Sequence, residues 1–162
     1  MSEISLHEFE LTDAEMHLYS RQILLDGWDI EAQERLKLAN VLIIGAGGIG
    51  CTSAELLARA GVGKITIVDA DTIEVSNLQR QIAFCPNDVG QYKAEVLAKH
   101  LRAINPHIQV IYQNVRFDEN NADELVQHQD VVLDGCDNFS TRYLVNAVCK
   151  KYQVPLISAS AI

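Results

Sequence analysis

A glycine-rich segment, GAGGIG at residues 45–50, has the spacing of loops that hold the phosphate groups of a nucleotide. Its glycines permit a tight turn and let the backbone approach a phosphate, which the N–H groups at a helix N-terminus attract. Asp69 follows at about the distance at which a carboxylate reaches ribose hydroxyls in such folds. The predicted phosphate-binding glycines are Gly45, Gly47, Gly48 and Gly50. The pattern favours a nucleotide site over a structural turn, but it does not separate NAD from ATP, since both put a ribose and phosphates there.

The polar segment after Asp69 is long for a dehydrogenase, in which the chain normally returns quickly to a helix. It carries Asp71, Asn77 and Arg80, and Lys93 lies a little further on. Two cations and an amide suit a triphosphate, whose charge must be spread during phosphoryl chemistry. Each cation alone could be a solvated surface charge, but together with the preceding acid they favour a functional role.

A second acidic segment, DGCDN, occupies residues 134–138. A carboxylate at the carboxyl end of a strand, facing phosphates, is a natural magnesium ligand, which makes Asp137 the candidate. Asp137 and Asn138 could equally cap a helix that begins near Thr141. Asp134 could cap a loop or accept hydrogen bonds at the strand end.

Strands and helices alternate around these motifs. The predicted strands are residues 41–44, 64–68, 108–112 and 131–133 and a last one that begins at residue 155. The predicted helices are residues 12–22, with a capping box at its start, and 30–38, 49–60, 93–104, 122–128 and 141–152. The alternation predicts an α/β fold with a doubly wound, mostly parallel, Rossmann-like sheet, in which ligands bind just after Ile44, Val68 and Leu133. We expect one domain, with a helical segment over residues 1–39 and an α/β core over residues 40–162.

Composition narrows the class of protein. The chain has 162 residues, is 48 % apolar and carries a net charge of −9, which argues against a nucleic-acid partner. Neither a signal peptide nor a run of about 20 apolar residues is present, so a membrane partner is not expected. The scattered cysteines predict reduced thiols in a cytoplasmic protein, each a small buried hydrophobe rather than a reactive group.

The motifs together resemble the ThiF/MoeB/HesA family, which is related to the adenylating domain of ubiquitin-activating enzymes. They occur in one order over almost the whole chain: YSRQILL, GAGGIG, AGVGKITIVDADTIEVSNLQRQ, GQYKAE, LDGCDN and VPLISASAI.

The resemblance implies roles for individual residues. The implied ATP contacts are Gly48 at the phosphates, Asp69 at the ribose, and Asn77, Arg80 and Lys93 along the triphosphate. Asp71 and Asn138 belong to the same predicted nucleotide site. Asp137 matches a magnesium-linked catalytic aspartate, and Arg21 matches an arginine that family homodimers insert into the partner subunit's site. The implied catalytic residues are therefore Arg21, Arg80, Lys93 and Asp137.

The implied activity is that of an ATP- and Mg²⁺-dependent adenylyltransferase. The C-terminal glycine carboxylate of a ubiquitin-like sulfur-carrier protein, of the molybdopterin or thiamine biosynthesis type, attacks the α-phosphate and forms an acyl-adenylate and pyrophosphate. An NAD(P)-dependent oxidoreductase is the alternative enzyme, favoured only by the glycine loop and Asp69. A non-catalytic nucleotide-binding subunit would be expected to lose Arg80, Lys93 or Asp137.

Family members usually continue beyond the point that corresponds to Ile162, with two CxxC pairs that hold a structural zinc. The 162 residues contain no CxxC pair, so that zinc site is absent from this chain. We therefore expect the chain to be truncated at its C-terminus.

Overall fold

The computed structural model describes residues 10–159. In this part of the chain, five parallel strands form one sheet in the order β3-β2-β1-β4-β5. The strands are β1 Asn40–Ile44, β2 Lys64–Val68, β3 Gln109–Gln113, β4 Val131–Asp134 and β5 Leu156–Ser158. The helices are α1 Asp13–Leu18, α2 Ser20–Ile23, α3 Ile30–Leu38, α4 Gly48–Ala60, α5 Lys93–Ile104, α6 Ala122–Val126 and α7 Phe139–Tyr152. The predicted doubly wound parallel sheet is confirmed. No helix among the described residues has the length and hydropathy needed to cross a membrane.

The strand register brings the functional segments to one edge of the sheet. Ile44, the last residue of β1, lies opposite Val68 on β2 and Asp134 on β4. Chain order reverses at β1, since β2 and β3 lie on one side of it and β4 and β5 on the other. Such a switch point leaves a crevice beyond the strand ends, where ligands of α/β folds bind.

The central strand is buried on both faces because its side chains alternate between two cores. Val41 and Ile43 pack in the cluster that includes helices α4 and α5. Leu42 and Ile44 pack in the cluster that includes α6 and α7. Leu42 and Ile43 are both 0 % exposed, which explains why β1 is apolar from Val41 to Ile44.

Some predicted boundaries are wrong by one or two residues. Strand β3 occupies Gln109–Gln113, one residue later than predicted, and the helix predicted over residues 122–128 ends at Val126. Helix α7 begins at Phe139, two residues early, because the Asn138 side chain accepts a hydrogen bond from the Thr141 N–H and caps it there. Strand β5 is Leu156–Ser158 rather than a strand from residue 155.

The first predicted helix is broken into two. The predicted capping box is confirmed, since Thr12 and Glu15 exchange the expected hydrogen bonds at the start of α1. Tyr19 then interrupts the helix with φ −94° and ψ 7°. This side chain is 3 % exposed, and its hydroxyl accepts a 2.7 Å hydrogen bond from Nδ2 of the buried Asn105. Tertiary burial of Tyr19 therefore overrides the continuous helix that the local pattern predicts.

The turn between β1 and α4 brings backbone into close contact with backbone. Gly45 has φ +94°, a conformation that favours glycine. A Cβ on Gly50 would lie 1.8 Å from the Gly45 carbonyl oxygen, which is far inside van der Waals contact. Only glycine at residue 50 allows the first turn of α4 to pack this closely under the loop.

We expect Gly50→Ala to lower the free energy of unfolding by about 3 kcal/mol or more, because the added methyl group displaces backbone rather than a mobile side chain. Gly47→Ala is the matched control. A Cβ there meets no atom within 4 Å, and the loss should stay below about 1 kcal/mol. Urea denaturation of both variants tests this, and equal losses would show that the contact under Gly50 relaxes without cost.

Candidate active site

A cleft of about 830 Å³ lies beyond the carboxyl ends of the strands, at the switch point of the sheet. Ten of the predicted site residues line it: Gly45, Gly47, Gly48, Asp69, Asp71, Asn77, Arg80, Lys93, Asp137 and Asn138. Gly50 is buried beneath the loop and does not line the cleft. Arg21 lies on α2, is exposed and is also outside the lining. The fold therefore brings together residues that are up to 93 positions apart, from Gly45 to Asn138.

Asp69 ties the end of β2 to the glycine loop. Its Oδ2 accepts a 2.7 Å hydrogen bond from the Ala46 N–H, and its Oδ1 accepts one of 2.7 Å from the Asp71 N–H. Burial raises the pKa of the Asp69 carboxyl above its usual value, although both N–H groups act in the opposite direction. Hydroxyl donors from a ligand would stabilise the ionised form further, so the carboxylate suits a sugar diol.

Lys93 and Asp71 form an ion pair inside the cleft, with 3.0 Å between Nζ and Oδ2. The lysine side chain is 10 % exposed and the aspartate side chain 68 % exposed. The Lys93 N–H also donates to the Asp71 carbonyl oxygen, which fixes the start of α5 beside the loop. The buried stem of Lys93 thus presents its ammonium group at the cleft, held by a solvated counter-charge that a phosphate could replace.

Arg80 and Asn77 lie on the segment between β2 and α5. Oδ1 of the buried Asn77 accepts a hydrogen bond from the Glu74 N–H, so this side chain shapes the loop. The Arg80 guanidinium is exposed and, among residues 10–159, donates only to the Ser76 carbonyl oxygen, at 3.1 Å. Arg80 therefore keeps most of its five donors for an anionic ligand.

The polar residues of the acidic segment that ends β4, residues 134–138, have different roles. Asn138 caps α7, as the capping alternative predicts. Asp137 is exposed at the cleft and has no hydrogen-bond or ion-pair partner among residues 10–159. Asp134 is 1 % exposed and accepts hydrogen bonds from the Cys136 N–H and the Ser158 hydroxyl. The structure confirms the interpretation of Asp134 as a hydrogen-bond acceptor at the strand end.

The cleft supplies the oxygen ligands that Mg²⁺ prefers. The ion usually binds one or two carboxylates together with substrate phosphates and water, not a closed protein cage. Asp137 offers a carboxylate without a partner among residues 10–159, and Asp71 is a second carboxylate that lines the same cleft. The described residues hold no cluster of three or more His, Cys, Asp or Glu side chains. The donor set therefore fits a magnesium ion that arrives with a nucleotide.

The cysteines fit this chemistry as unreactive thiols. Cys51 is 0 % exposed, and burial raises its pKa to about 12. Cys136 lines the cleft, where burial and then the nearby Asp134 raise its thiol pKa. Both thiols are protonated at neutral pH and are poor nucleophiles. The prediction that every cysteine is buried is confirmed for Cys51 and Cys149 and wrong for the other two. Cys136 is only partly buried because it lines the cleft, and Cys85 is exposed because it precedes the turn Pro86–Asp88 at the surface.

Sequence reasoning missed the wall of the cleft formed after β3. Val115, Arg116 and Phe117 form this wall. Gln81, from the segment after β2, and Thr141, on α7, also line the cleft and were missed. Phe117 is 4 % exposed and packs in the core cluster beside α6 and α7. The strand order contained the signal, since β3 is parallel to β2 and the two strands end at the same edge of the sheet.

The chain is similar in sequence to proteins of known activity. Residues 19–162 match the ThiF family. The chain is 48 % identical over 153 residues to the molybdopterin-synthase adenylyltransferase of Salmonella typhimurium, covering 94 % of this chain and 61 % of that protein. It is 44 % identical over 146 residues to the sulfur carrier protein adenylyltransferase of Thermus thermophilus, covering 90 % of this chain and 54 % of that protein.

A solved structure shares the fold over most of the chain. The Escherichia coli tRNA N6-threonylcarbamoyladenosine dehydratase, in complex with ATP, is 30 % identical and superposes with a TM-score of 0.85. The match covers 91 % of this chain and 60 % of that one. Sequence motifs, sheet order and these likenesses agree: the chain belongs to the ThiF family.

Proposed function

We propose that this chain binds Mg-ATP and adenylates the C-terminal glycine carboxylate of a ubiquitin-like sulfur-carrier protein, of the molybdopterin or thiamine biosynthesis type. The observation that carries the proposal is that one cleft is lined both by the cations Arg80 and Lys93 and by the carboxylates of Asp69 and Asp137. This arrangement offers acceptors to a ribose and a metal, and donors to a chain of phosphates.

Each side chain has a defined part in the proposed reaction. The ribose hydroxyls donate to Asp69, and the phosphates lie over Gly47 and Gly48 at the N-terminus of α4, whose free N–H groups attract anions. Arg80 and Lys93 hold the triphosphate in line for attack at the α-phosphorus. The carrier carboxylate is the nucleophile, pyrophosphate leaves, and the two cations stabilise the charge that develops on it.

Asp137 and Asp71 would hold the magnesium ion. When bound, the ion neutralises phosphate charge and orients the triphosphate. Asp71 is the present partner of Lys93, so nucleotide binding would release it from the lysine. The reaction needs no side-chain nucleophile, which agrees with the raised pKa of the Cys136 thiol.

The relatives favour this substrate class over RNA. Identity reaches 48 % with a molybdopterin-synthase adenylyltransferase and 30 % with a tRNA-modifying dehydratase. A net charge of −9 would also repel a polyanion. The chain spans 61 % of the Salmonella relative, so the carrier, the pathway and the complete reaction remain part of the proposal.

The role that we propose for Arg21 depends on a homodimer. Its side chain is exposed and outside the cleft of its own chain, as required of a residue that reaches the site of a second copy. The same segment has the exposed apolar side chains Leu24 and Leu25, at 77 % and 62 %. We propose a homodimer in which Arg21 enters the partner's cleft. The free cysteines fit a cytoplasmic location.

The first test compares nucleotides. Mg-ATP should bind more tightly than NADH, and Asp137→Ala should weaken Mg-ATP about tenfold or more while leaving binding of ATP in EDTA unchanged. Calorimetric titration measures all of these affinities. The control is Asp123→Ala, since this exposed aspartate lies outside the lining of the cleft and its partner in the described part of the chain is Lys151. Tighter binding of NADH would favour an oxidoreductase.

A second test concerns the phosphate contacts. Arg80→Ala and Lys93→Ala should each weaken ATP by roughly ten- to hundred-fold, because a charge-assisted hydrogen bond contributes about 1.5–3 kcal/mol. The loss for AMP should be smaller, since AMP lacks the β- and γ-phosphates. Arg35→Ala serves as the control, because the Arg35 side chain is 67 % exposed and its ion-pair partner among the described residues is Glu31. Equal losses for both nucleotides would place the two cations away from those phosphates.

A third test addresses the dimer. Arg21→Ala and Asp137→Ala should each impair Mg-ATP binding, and a mixture of the two should regain some sites, because one cleft of the heterodimer has both residues. Binding stoichiometry by calorimetry, with subunit exchange followed by native mass spectrometry, measures the recovery. Exchanged heterodimers without recovered sites would place the function of Arg21 within its own subunit.

The adenylation step has its own assay. ATP–pyrophosphate exchange should depend on a ubiquitin-like sulfur carrier with an intact C-terminal glycine, and the same carrier without that glycine is the control. Exchange that proceeds equally with both carriers would rule out the terminal carboxylate as the nucleophile.

A further inference from the structure

An ion pair between a buried carboxylate and a partly exposed arginine adjoins the acidic segment, outside the residues assigned to the nucleotide. Asp134 ends β4 with its side chain 0 % exposed, and its Oδ2 lies 3.2 Å from Nε of Arg142 on α7. The same carboxylate accepts hydrogen bonds from the Cys136 N–H at 2.9 Å and the Ser158 hydroxyl at 2.8 Å. One aspartate thus joins the strand end, the loop, the helix and β5.

The arginine makes complementary contacts. Its Nη2 donates to the Cys136 carbonyl oxygen at 2.8 Å and to the Ala159 carbonyl oxygen at 3.3 Å. The guanidinium therefore bridges the loop after β4 and the residue after β5 while it neutralises Asp134. Lysine could not make these contacts together, because only the guanidinium has a rigid fork of donors.

These contacts bear on the position of Asp137, which lies next to Cys136 in the chain. On one side, Cys136 is fixed by both its N–H and its carbonyl oxygen. On the other side, Asn138 is fixed as the cap of α7 through the Thr141 N–H. Between these anchors the Asp137 carboxylate has no partner of its own in the described part of the chain. Its direction into the cleft is set by the backbone, which the buried pair fixes.

We propose that Asp134 and Arg142 are positioning residues that hold the Asp137 carboxylate in place to receive the magnesium ion of Mg-ATP. The inference rests on the proposed function, since it takes Asp137 as the metal ligand. If Asp134 and Arg142 only stabilised the fold, neither side chain would need to contact the Cys136 backbone. An apolar pair of similar volume could fill the same space without the desolvation penalty.

The test measures the gain in ATP affinity on adding Mg²⁺, as the ratio of affinities in Mg²⁺ and in EDTA. Asp134→Asn retains an acceptor for the Cys136 N–H but removes the charge that holds the guanidinium. Arg142→Gln removes the guanidinium and its contacts with Asp134 and with the Cys136 and Ala159 carbonyl oxygens. We expect each to lose most of the metal-dependent gain, about tenfold, as Asp137→Ala does. Affinity for ATP in EDTA should stay near that of the wild type.

A matched control lies on the same helix. Lys151→Gln breaks the exposed pair with Asp123 and should leave the metal-dependent gain intact. Thermal melting of each variant separates positioning from folding, because a merely structural pair would lower the melting temperature and leave the gain unchanged. If Arg142→Gln does not fold, the double variant Asp134→Asn/Arg142→Gln, which leaves no unpaired buried charge, makes the same test.

The outcomes distinguish the two proposals. Loss of the gain in the Asp137, Asp134 and Arg142 variants supports the positioning role. If the gain is lost in Asp137→Ala but kept in the Asp134 and Arg142 variants, the positioning role is wrong and the proposed function is unaffected. A wild-type gain that Asp137→Ala does not change overturns the metal assignment, and the positioning role with it.

Discussion

The site depends on the close packing of backbone where β1, β2 and β4 end. The Gly45 N–H donates to the Val68 carbonyl oxygen, and the Gly135 N–H donates to that of Ile44. A Cβ on Gly45 would lie 3.1 Å from the Gly135 carbonyl oxygen, so side chains are excluded from this junction. The absence of side chains lets α4 begin under the loop and aim its N–H groups at the cleft. The cleft lies beside this junction, and both glycines line it.

Around that junction, some charged side chains hold the backbone in position, and others are exposed at the cleft. Asp134 and Arg142 are paired and largely buried, and they hold backbone. Arg80 and Asp137 are exposed at the cleft, and they stay available to a ligand. Lys93 is intermediate, because its stem is buried and its counter-charge is solvated. A net charge of −9 would repel ATP, so a local concentration of cations at the phosphate end is a physical requirement for the proposed substrate.

Much of the fold could be predicted because its signals are local. The apolar run of β1, the glycine loop and the Thr12 capping box each specify their element through sequence neighbours, and each is confirmed. The order of site motifs along the chain, combined with the rule that parallel strands end at one edge, was enough to predict that Asp69, Lys93 and Asp137 share one cleft. Sequence could not choose between capping and metal binding for residues 137–138, since both need an oxygen at a helix start.

Tertiary structure decided what depends on distant partners. Tyr19 ends the first helix because Asn105, 86 residues away, holds its hydroxyl in a buried position. Asn138 caps α7, whereas the Asp137 carboxylate has no partner in the described part of the chain. The way in which α7 packs against β4 determines this difference. The wall after β3 joined the cleft through strand pairing. Sequence alone determined which residue types were available and their order. Burial and long-range hydrogen bonds, which no local pattern encodes, determined which of them line the cleft.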